Sequence, residues 1–179
     1  MTAFKQHFLA LAVFCLCHLP AFASACNAPE AVCNWADMIV GIKTPNMIAS
    51  GTMIADGFVV TNRHVAEDHP RVMTRDIKGR IRSATPLAHN FAADLVILRM
   101  ESANGVPDNA PAVADGKPQE LHVVAFDQGR NGPRVYAAGD FALYPAADAS
   151  SRARIHTNAR ALPGNSGGAV VDSDGRLVG

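Results

Sequence analysis

Short apolar segments rich in β-branched residues recur along most of this chain, and turn signals separate them. The turn signals include Asp56-Gly57, Lys78-Gly79, Asp115-Gly116, Asn131-Gly132-Pro133 and Asp174-Gly175. The pattern predicts strands at Met38–Ile42, Ile48–Ile54, Phe58–Thr61, Ile81–Leu87, Leu95–Met100, Leu121–Phe126, Val135–Leu143, Arg154–Thr157 and Ala169–Val171. Many short strands with frequent turns are typical of an all-β barrel or sandwich. No long stretch has helical spacing, which argues against a helical bundle.

One stretch interrupts this rhythm of strands and turns. Residues 101–119 contain three prolines and two glycines and few large apolar side chains. Such a composition is typical of a linker between two halves of a chain. We therefore predict a linker at 101–118, with one β-rich unit at 26–100 and a second at 119–179.

The first 25 residues have the features of a secretory signal peptide. Lys5 precedes the apolar run Phe8–Cys17, Pro20 follows it, and no acidic residue occurs before Glu30. The alanine-rich end of this segment then offers cleavage sites after Ala23 or Ala25. The apolar run is too short to span a bilayer as an ordinary helix. We expect a secreted or periplasmic protein.

Cleavage at either site would leave Cys26 and Cys33 as the remaining cysteines. Two cysteines in an oxidising compartment favour a small disulfide loop over a metal site, which needs more ligands nearby. A lipid anchor on Cys26 is the less favoured alternative. The preceding Ala-Ser-Ala lacks the leucine usual three residues before a lipidated cysteine.

The charges of the chain are nearly balanced. All 16 acidic residues and 15 of the 16 Lys and Arg residues follow residue 25, giving the mature chain a formal charge of about −1. No basic patch or charge run indicates nucleic acid or a membrane surface as a partner. The roughly 154 residues after the leader are enough for a core but short for two full barrels.

The most distinctive motif is "ALPGNSGGAVV", residues 161–171, which places Ser166 among three glycines and a proline. One interpretation is a plain turn between two strands, because these residues permit unusual backbone angles. The other is a nucleophilic serine. The amides of Gly164 and Ser166 would then bind the oxyanion, and Gly167 and Gly168 would leave room for the substrate.

A serine nucleophile needs a base and an orienting acid, and the chain offers one good candidate for each. His64 lies where the segment "GTMIADGFVVTNRHVA" leaves its second predicted strand. Asp94 directly precedes Leu-Val-Ile-Leu, and an acid entering an apolar strand is costly to bury without partners. That position makes Asp94 a better candidate for the orienting acid than the acids in polar loops, which are Asp76, Asp108 and Asp148.

These residues occur in the order His, Asp, Ser, and the predicted linker falls between the second and the third. Chymotrypsin-like β-barrels have this order, whereas subtilisins and α/β-hydrolases do not. The segments "GTMIADGFVVTNRHVA", "ADLVILRM" and "LPGNSGGAVVDSDGRLVG" together resemble the trypsin-like serine proteases, and most closely the bacterial HtrA/Deg-like branch. The resemblance spans about residues 38–179.

The resemblance implies two six-stranded antiparallel barrels with the active site in the cleft between them. It implies that His64 is the general base, that Asp94 orients it, and that Ser166 forms an acyl-enzyme. The amides of Gly164 and Ser166 would form the oxyanion hole. The substrate would be a protein or peptide, and neither a metal nor an organic cofactor would be needed.

The resemblance also implies where the specificity pocket lies. Arg160, Ala161 and Leu162 precede Ser166, and Arg160 stands where trypsins carry the acid that attracts basic side chains. Cleavage after Lys or Arg is therefore not expected. An Arg160 inside the pocket would attract acidic residues. We favour an Arg160 turned to solvent and cleavage after small aliphatic residues.

The sequence departs from the family at its end. A family member would continue past Gly179 into the strand that pairs with the substrate, so we expect a fragment or an incomplete second barrel. Two alternatives to an active enzyme stay open. One is a protease-like binding module or inactive fragment that lacks those strands, and the other is a secreted β-rich protein with a coincidental motif.

Overall fold

The computed structural model describes residues 26–89, 91–101, 111–128, 131–148 and 152–179. The predicted signal peptide at 1–25 lies outside the described residues, as do residues 102–110 of the predicted linker, which include Asp108. Within the described ranges, no helix has both the length and the apolar character needed to cross a membrane.

The first unit is a closed antiparallel barrel of six strands. They are β1 (Ile39–Lys43), β2 (Ile48–Ala55), β3 (Phe58–Thr61), β4 (Val72–Arg75), β5 (Ile81–Pro86) and β6 (Val96–Met100). The strand order is β1-β2-β3-β6-β5-β4, and pairing of β1 with β4 closes the barrel. Inward-facing aliphatic side chains, including Ile42, Val59 and Leu98, are fully buried. Such closure leaves the barrel without a free strand edge.

The second half of the chain is also built of strands, but they form open sheets. Its strands are β7 (Leu121–Phe126), β8 (Pro133–Ala137), β9 (Phe141–Tyr144), β10 (Arg154–Thr157) and β11 (Ala169–Asp172). One sheet has the order β11-β7-β8, and the other pairs β10 with β9. The all-β prediction is confirmed. In the described part of the chain, the second barrel is incomplete.

A short N-terminal segment packs onto the second half. It contains helix α1 (Glu30–Cys33) and a 3₁₀ helix (Asn34–Met38), and a disulfide bond joins Cys26 to Cys33. Val32 and Trp35 are buried in a core that includes Val124 of β7. The Trp35 indole N–H donates to the carbonyl of Gly175 at 2.8 Å. The segment therefore contributes directly to the core of the second half.

One strand was missed, and one strand prediction was wrong. Strand β4 was missed because Val72 is its only aliphatic β-branched residue, so the segment lacks the apolar run by which the other strands were predicted. The single strand expected at Val135–Leu143 is two strands, β8 and β9. Gly139, at φ +65°, breaks them apart, because only glycine adopts that backbone conformation readily.

Asp76 follows β4 and is not the solvated loop acid that its polar surroundings suggest. The residue is 5% exposed. Its carboxylate accepts hydrogen bonds from the Arg80 backbone at 2.9 Å, the Arg80 side chain at 2.5 Å and the Arg82 side chain at 3.2 Å. Burial acts to raise the pKa of Asp76. The hydrogen bonds and charge of Arg80, with a smaller contribution from Arg82, outweigh burial and hold the pKa below its ordinary value.

We expect Asp76→Asn to lower the free energy of unfolding at pH 7 by about 1–3 kcal/mol, because charge-assisted hydrogen bonds in the turn would be lost. A lowered folded-state pKa stabilises the fold above the unfolded pKa of about 3.9, and this stabilisation disappears as the pH falls through the folded-state pKa. Urea unfolding at pH 7, 5 and 3 should therefore show that the free energy of unfolding falls less between pH 7 and pH 3 in Asp76→Asn than in the wild type. The matched control is Asp56→Asn, an exposed turn acid, which should leave the acid dependence unchanged.

Candidate active site

His64 lies at the rim of the closed barrel, in helix α2 (Arg63–Ala66), which begins two residues after β3 ends. Strand β3 pairs with β6 so that Thr61 faces Val96. The residues that follow β3 therefore meet the residues that precede β6. Asn62 strengthens this junction, since its side-chain amide donates to the Asp94 carbonyl at 2.9 Å.

Asp94 holds His64 at two points. One carboxylate oxygen accepts the His64 backbone N–H at 3.0 Å, and the other lies 2.7 Å from Nδ1 of the ring. Burial acts to raise the pKa of Asp94, but the hydrogen bonds and charge of His64, together with the Arg63 backbone N–H, outweigh it. The pKa of Asp94 therefore lies below its ordinary value. An ionised carboxylate at this distance favours the tautomer with the proton on Nδ1, which leaves Nε2 free to accept a proton.

Ser166 lies on a tight loop between Leu162 and Gly168. The Asn165 backbone N–H donates to the Leu162 carbonyl at 3.0 Å, and the Gly168 N–H donates to the Asn165 carbonyl at 2.9 Å. Gly164 has φ +104°, and a Cβ added there would lie 2.7 Å from the Gln128 nitrogen. The position therefore requires glycine, and the Ser166 side chain is left exposed to solvent.

Strand β2 of the barrel is hydrogen bonded to this loop. The Ser50 backbone N–H donates to the Ser166 carbonyl at 2.8 Å, and the Ser50 hydroxyl donates to the Gly164 carbonyl at 2.6 Å. The Thr52 hydroxyl donates to the Gly167 carbonyl at 3.0 Å. Thr61, three residues before His64, donates to the Ser50 carbonyl at 2.7 Å. The serine loop is thereby fastened to the same barrel that carries His64.

The structure joins two of the three predicted catalytic residues directly. His64 and Asp94 are hydrogen bonded, whereas the Ser166 hydroxyl has no hydrogen-bond partner among the described residues. Nor do the N–H groups of Gly164 and Ser166 have an acceptor within the described ranges. Catalytic hydrogen bonds are often long or unformed before substrate binds, so a reactive site is compatible with this arrangement.

Comparison with known proteins identifies the protein family of this chain. Residues 49–179 match the trypsin-like peptidase domain. The chain belongs to that family. The matched range includes His64, Asp94 and Ser166. The resemblance inferred from the three sequence segments is thus confirmed at the level of the family.

Relatives of this peptidase domain are HtrA and Deg proteins. The chain is 30% identical over 139 residues to a probable periplasmic serine endoprotease, DegP-like, of Chlamydia pneumoniae, covering 69% of this chain and 26% of that protein. It is 28% identical over 134 residues to the serine endoprotease DegS of Escherichia coli, covering 69% and 36%. It thus spans about a quarter to a third of the length of these two relatives. Both relatives are serine endoproteases by name.

Solved structures share the same fold. The Rv3671c protease in its inactive form superposes with a TM-score of 0.65 at 19% identity, covering 87% of this chain and 85% of that one. The serine endoprotease from Yersinia pestis gives a TM-score of 0.64 at 23% identity, covering 82% and 54%. At these identities the likeness establishes the fold of the peptidase domain and nothing finer.

The three residues predicted to line the specificity pocket lie just ahead of the serine loop. Arg160 and Ala161 are exposed, and Leu162 is half-buried. An exposed Arg160 is compatible with the favoured orientation toward solvent. The assignment of these residues to the pocket, and the preference for small aliphatic residues, stay predictions.

Sequence reasoning missed the residues that fasten the serine loop. Ser50 and Thr52 are buried polar residues inside an apolar strand. Their spacing of two places both on one face of the strand, and this was the available signal of a polar contact there. It also missed Asp127, which directly follows β7 and is 6% exposed. The signal there was the one that singled out Asp94, an acid adjoining an apolar strand. The Asn165 side chain donates to Asp127 at 3.0 Å.

Proposed function

We propose that this peptidase domain hydrolyses peptide bonds through an acyl-enzyme on Ser166, with His64 as general base and Asp94 as the group that orients and stabilises it. The observation that carries the proposal is the double attachment of His64 to Asp94, through both ring and backbone. This attachment lies on the barrel to which Ser50 fastens the Ser166 loop.

The proposed reaction uses the proton arrangement described above. His64 Nε2 takes the proton of the Ser166 hydroxyl as its oxygen attacks the substrate carbonyl. The imidazolium that forms is stabilised by the ionised Asp94, and it then returns the proton to the leaving amine. Water attacks the resulting ester by the same route, which restores Ser166 and releases the acid product.

Negative charge on the substrate oxygen must be stabilised in both steps. We assign this role to the N–H groups of Gly164 and Ser166. Neither group has an acceptor in the described residues. Both lie on the loop that is hydrogen bonded to Ser50 of β2. Preorganised backbone donors of this kind need no rearrangement during the reaction, and losing one such donor typically costs about 10²–10³-fold in rate.

The proposed substrates are proteins or peptides, as the serine endoprotease names of the relatives suggest. In the wider family, a further strand pairs with the substrate backbone and completes the pocket. We propose that this chain nevertheless cleaves long substrates. We also propose a preference for small aliphatic residues at the cleaved position, because an exposed Arg160 would leave an apolar lining.

We propose that the domain acts in the periplasm or outside the cell. The basic start and apolar run of residues 1–25, the Cys26–Cys33 disulfide and the periplasmic DegP-like relative support this. Expression in a bacterium with an intact secretion pathway should yield a periplasmic form. Its N-terminal sequence is expected to begin at Ser24 or Cys26. Retention of Met1 in the cytoplasm would contradict the proposed location.

The experiment that tests the activity is covalent labelling with a fluorophosphonate probe. An activated serine displaces fluoride from phosphorus and loses its proton, so the folded chain should gain the mass of one probe less HF, located by peptide mapping in residues 161–171. Ser166→Ala serves as the control for the site, and urea-unfolded chain serves as the control for non-specific reaction. Both should remain unlabelled.

Two results would count against the enzyme. Labelling at another serine would contradict the assignment of Ser166. A folded chain that never reacts would instead favour the protease-like binding module. Hydrolysis of an unstructured protein such as casein, measured in parallel, would then distinguish a reactive site from one that turns over substrate.

A further inference from the structure

Behind the serine loop lies a buried carboxylate that the proposed reaction does not use. Asp127 directly follows β7, and its side chain is 8% exposed. Its Oδ1 accepts hydrogen bonds from the Tyr136 hydroxyl and, at 3.0 Å, from the Asn165 side-chain amide. Its Oδ2 lies 3.4 Å from Arg134 Nη1. A buried charge is tolerated only with such partners, and one of them belongs to the serine loop.

Asn165 uses both ends of its side-chain amide. Nδ2 donates to Asp127 and to the Phe126 carbonyl, each at 3.0 Å. Oδ1 accepts the Leu162 backbone N–H at 2.8 Å. The side chain therefore closes the loop from Leu162 to Asn165 and attaches it to the end of β7.

Asp127 and two backbone groups together determine which way this amide points. If the amide were reversed, its oxygen would face both the Asp127 carboxylate and the Phe126 carbonyl, and its NH₂ group would face the Leu162 N–H. All three contacts would then be repulsive. Asp127 thus reinforces the orientation in which Asn165 holds Leu162.

Tyr136 stays a hydrogen-bond donor to Asp127 around neutral pH. Burial, followed by its hydrogen bond to Asp127 and the charge of that carboxylate, raises the pKa of Tyr136 to about 12. The phenol therefore remains a donor to Oδ1. Both donors to this oxygen persist under the conditions in which a peptidase would be assayed.

We propose that Asp127 is a positioning residue for the oxyanion hole. By orienting and holding Asn165, it keeps the loop that carries the Gly164 and Ser166 N–H groups in one conformation. Neither group touches Asp127, so the effect passes entirely through Asn165 and the loop backbone. The inference rests on the proposed function, because the oxyanion role of these N–H groups belongs to that proposal.

The test compares Asp127→Ala with Asp127→Asn. An asparagine oxygen still accepts hydrogen bonds from Asn165 and Tyr136, and only the contact with the half-exposed Arg134 is lost. Asp140→Ala is the matched control, because Asp140 accepts a hydrogen bond from Asn158 at 3.1 Å, away from the serine loop. Circular dichroism and thermal melting establish that each variant is folded at the assay temperature.

The first readout is the fluorophosphonate reaction resolved into a maximal rate and a half-saturating probe concentration. We expect Asp127→Ala to lower the maximal rate by about 10–100-fold, less than direct loss of an oxyanion donor, with the half-saturating concentration unchanged. Asp127→Asn should restore most of the rate, and Asp140→Ala should match the wild type. A purely structural role would lower the melting temperature of Asp127→Ala without this selective loss of rate.

The second readout does not depend on chemistry at Ser166. Amide hydrogen exchange measured by NMR should show protected Leu162 and Asn165 N–H groups in the wild type and in Asp127→Asn, and loss of that protection in Asp127→Ala. Unchanged protection in Asp127→Ala overturns the inference, as does an equal loss of rate in Asp127→Ala and Asp127→Asn. A wild type that never labels refutes the proposed function. Hydrogen exchange then still decides whether Asp127 holds the loop.

Discussion

Asp94→Asn is expected to lower the rate of Ser166 acylation by about 10⁴-fold while leaving the barrel folded. The asparagine oxygen still accepts the His64 backbone N–H, which lies 3.0 Å from the carboxylate in the wild type. Its NH₂ group, however, takes the place of the oxygen that lies 2.7 Å from Nδ1. That donor favours a ring that is unprotonated at Nδ1 and carries its proton on Nε2, where it cannot accept the serine proton.

The measurement is the second-order rate of fluorophosphonate labelling, accompanied by urea unfolding. The control is Asp68→Asn, which removes an exposed negative charge four residues after His64 and should change the rate little. A fall of less than about tenfold in Asp94→Asn would show that Asp94 does not orient the base. A large loss of stability in the variant would instead indicate a structural role for the carboxylate.

The pairing of His64 with Asp94 was predictable because local sequence specifies strand ends. Each residue adjoins an apolar β-branched run, and antiparallel pairing of those two runs brings their neighbouring ends together. The order of the three motifs then indicated a fold that makes this pairing. In this region, local pattern and tertiary structure agree.

The stretch that forms β8 and β9 was harder to predict, because both strands are short and their burial is partial. In β8, no residue is fully buried, and β9 alternates between half-buried and exposed positions. The break between them depends on a single glycine with positive φ, Gly139. Apolar content alone does not show such a break, because the flanking residues are equally suited to one long strand.

The contacts that fasten the serine loop are long-range, and no local pattern encodes them. Ser50 and Gly164 are hydrogen bonded across 114 positions of sequence, and Thr52 and Gly167 across 115. A serine or threonine inside a strand is compatible with many partners. Only closure of the barrel determines that these two face the serine loop.

Gly167→Ala is expected to lower the free energy of unfolding by about 4 kcal/mol or more and to abolish labelling of Ser166. Gly167 has φ +85°, and an added Cβ would lie 2.1 Å from the Ser50 carbonyl oxygen and 2.3 Å from the Thr61 hydroxyl. The methyl group would therefore separate the hydrogen-bonded pair that links β2 to β3. Because Ser50 also holds the Ser166 carbonyl, the serine loop would be displaced as well.

Two other glycines separate the causes of this effect. Gly79 has φ +78° with its nearest atom 3.8 Å from an added Cβ, so Gly79→Ala should cost only the backbone strain, about 1–2 kcal/mol. In Gly139→Ala, the added Cβ would lie 2.0 Å from the Asn158 side-chain oxygen, which is able to move away. Urea unfolding should rank Gly167→Ala as the least stable of the three by a clear margin. If Gly139→Ala proved equally unstable, the rigidity of the Ser50 backbone would not be the cause, and the proposed fastening of the serine loop through β2 would lose its main support.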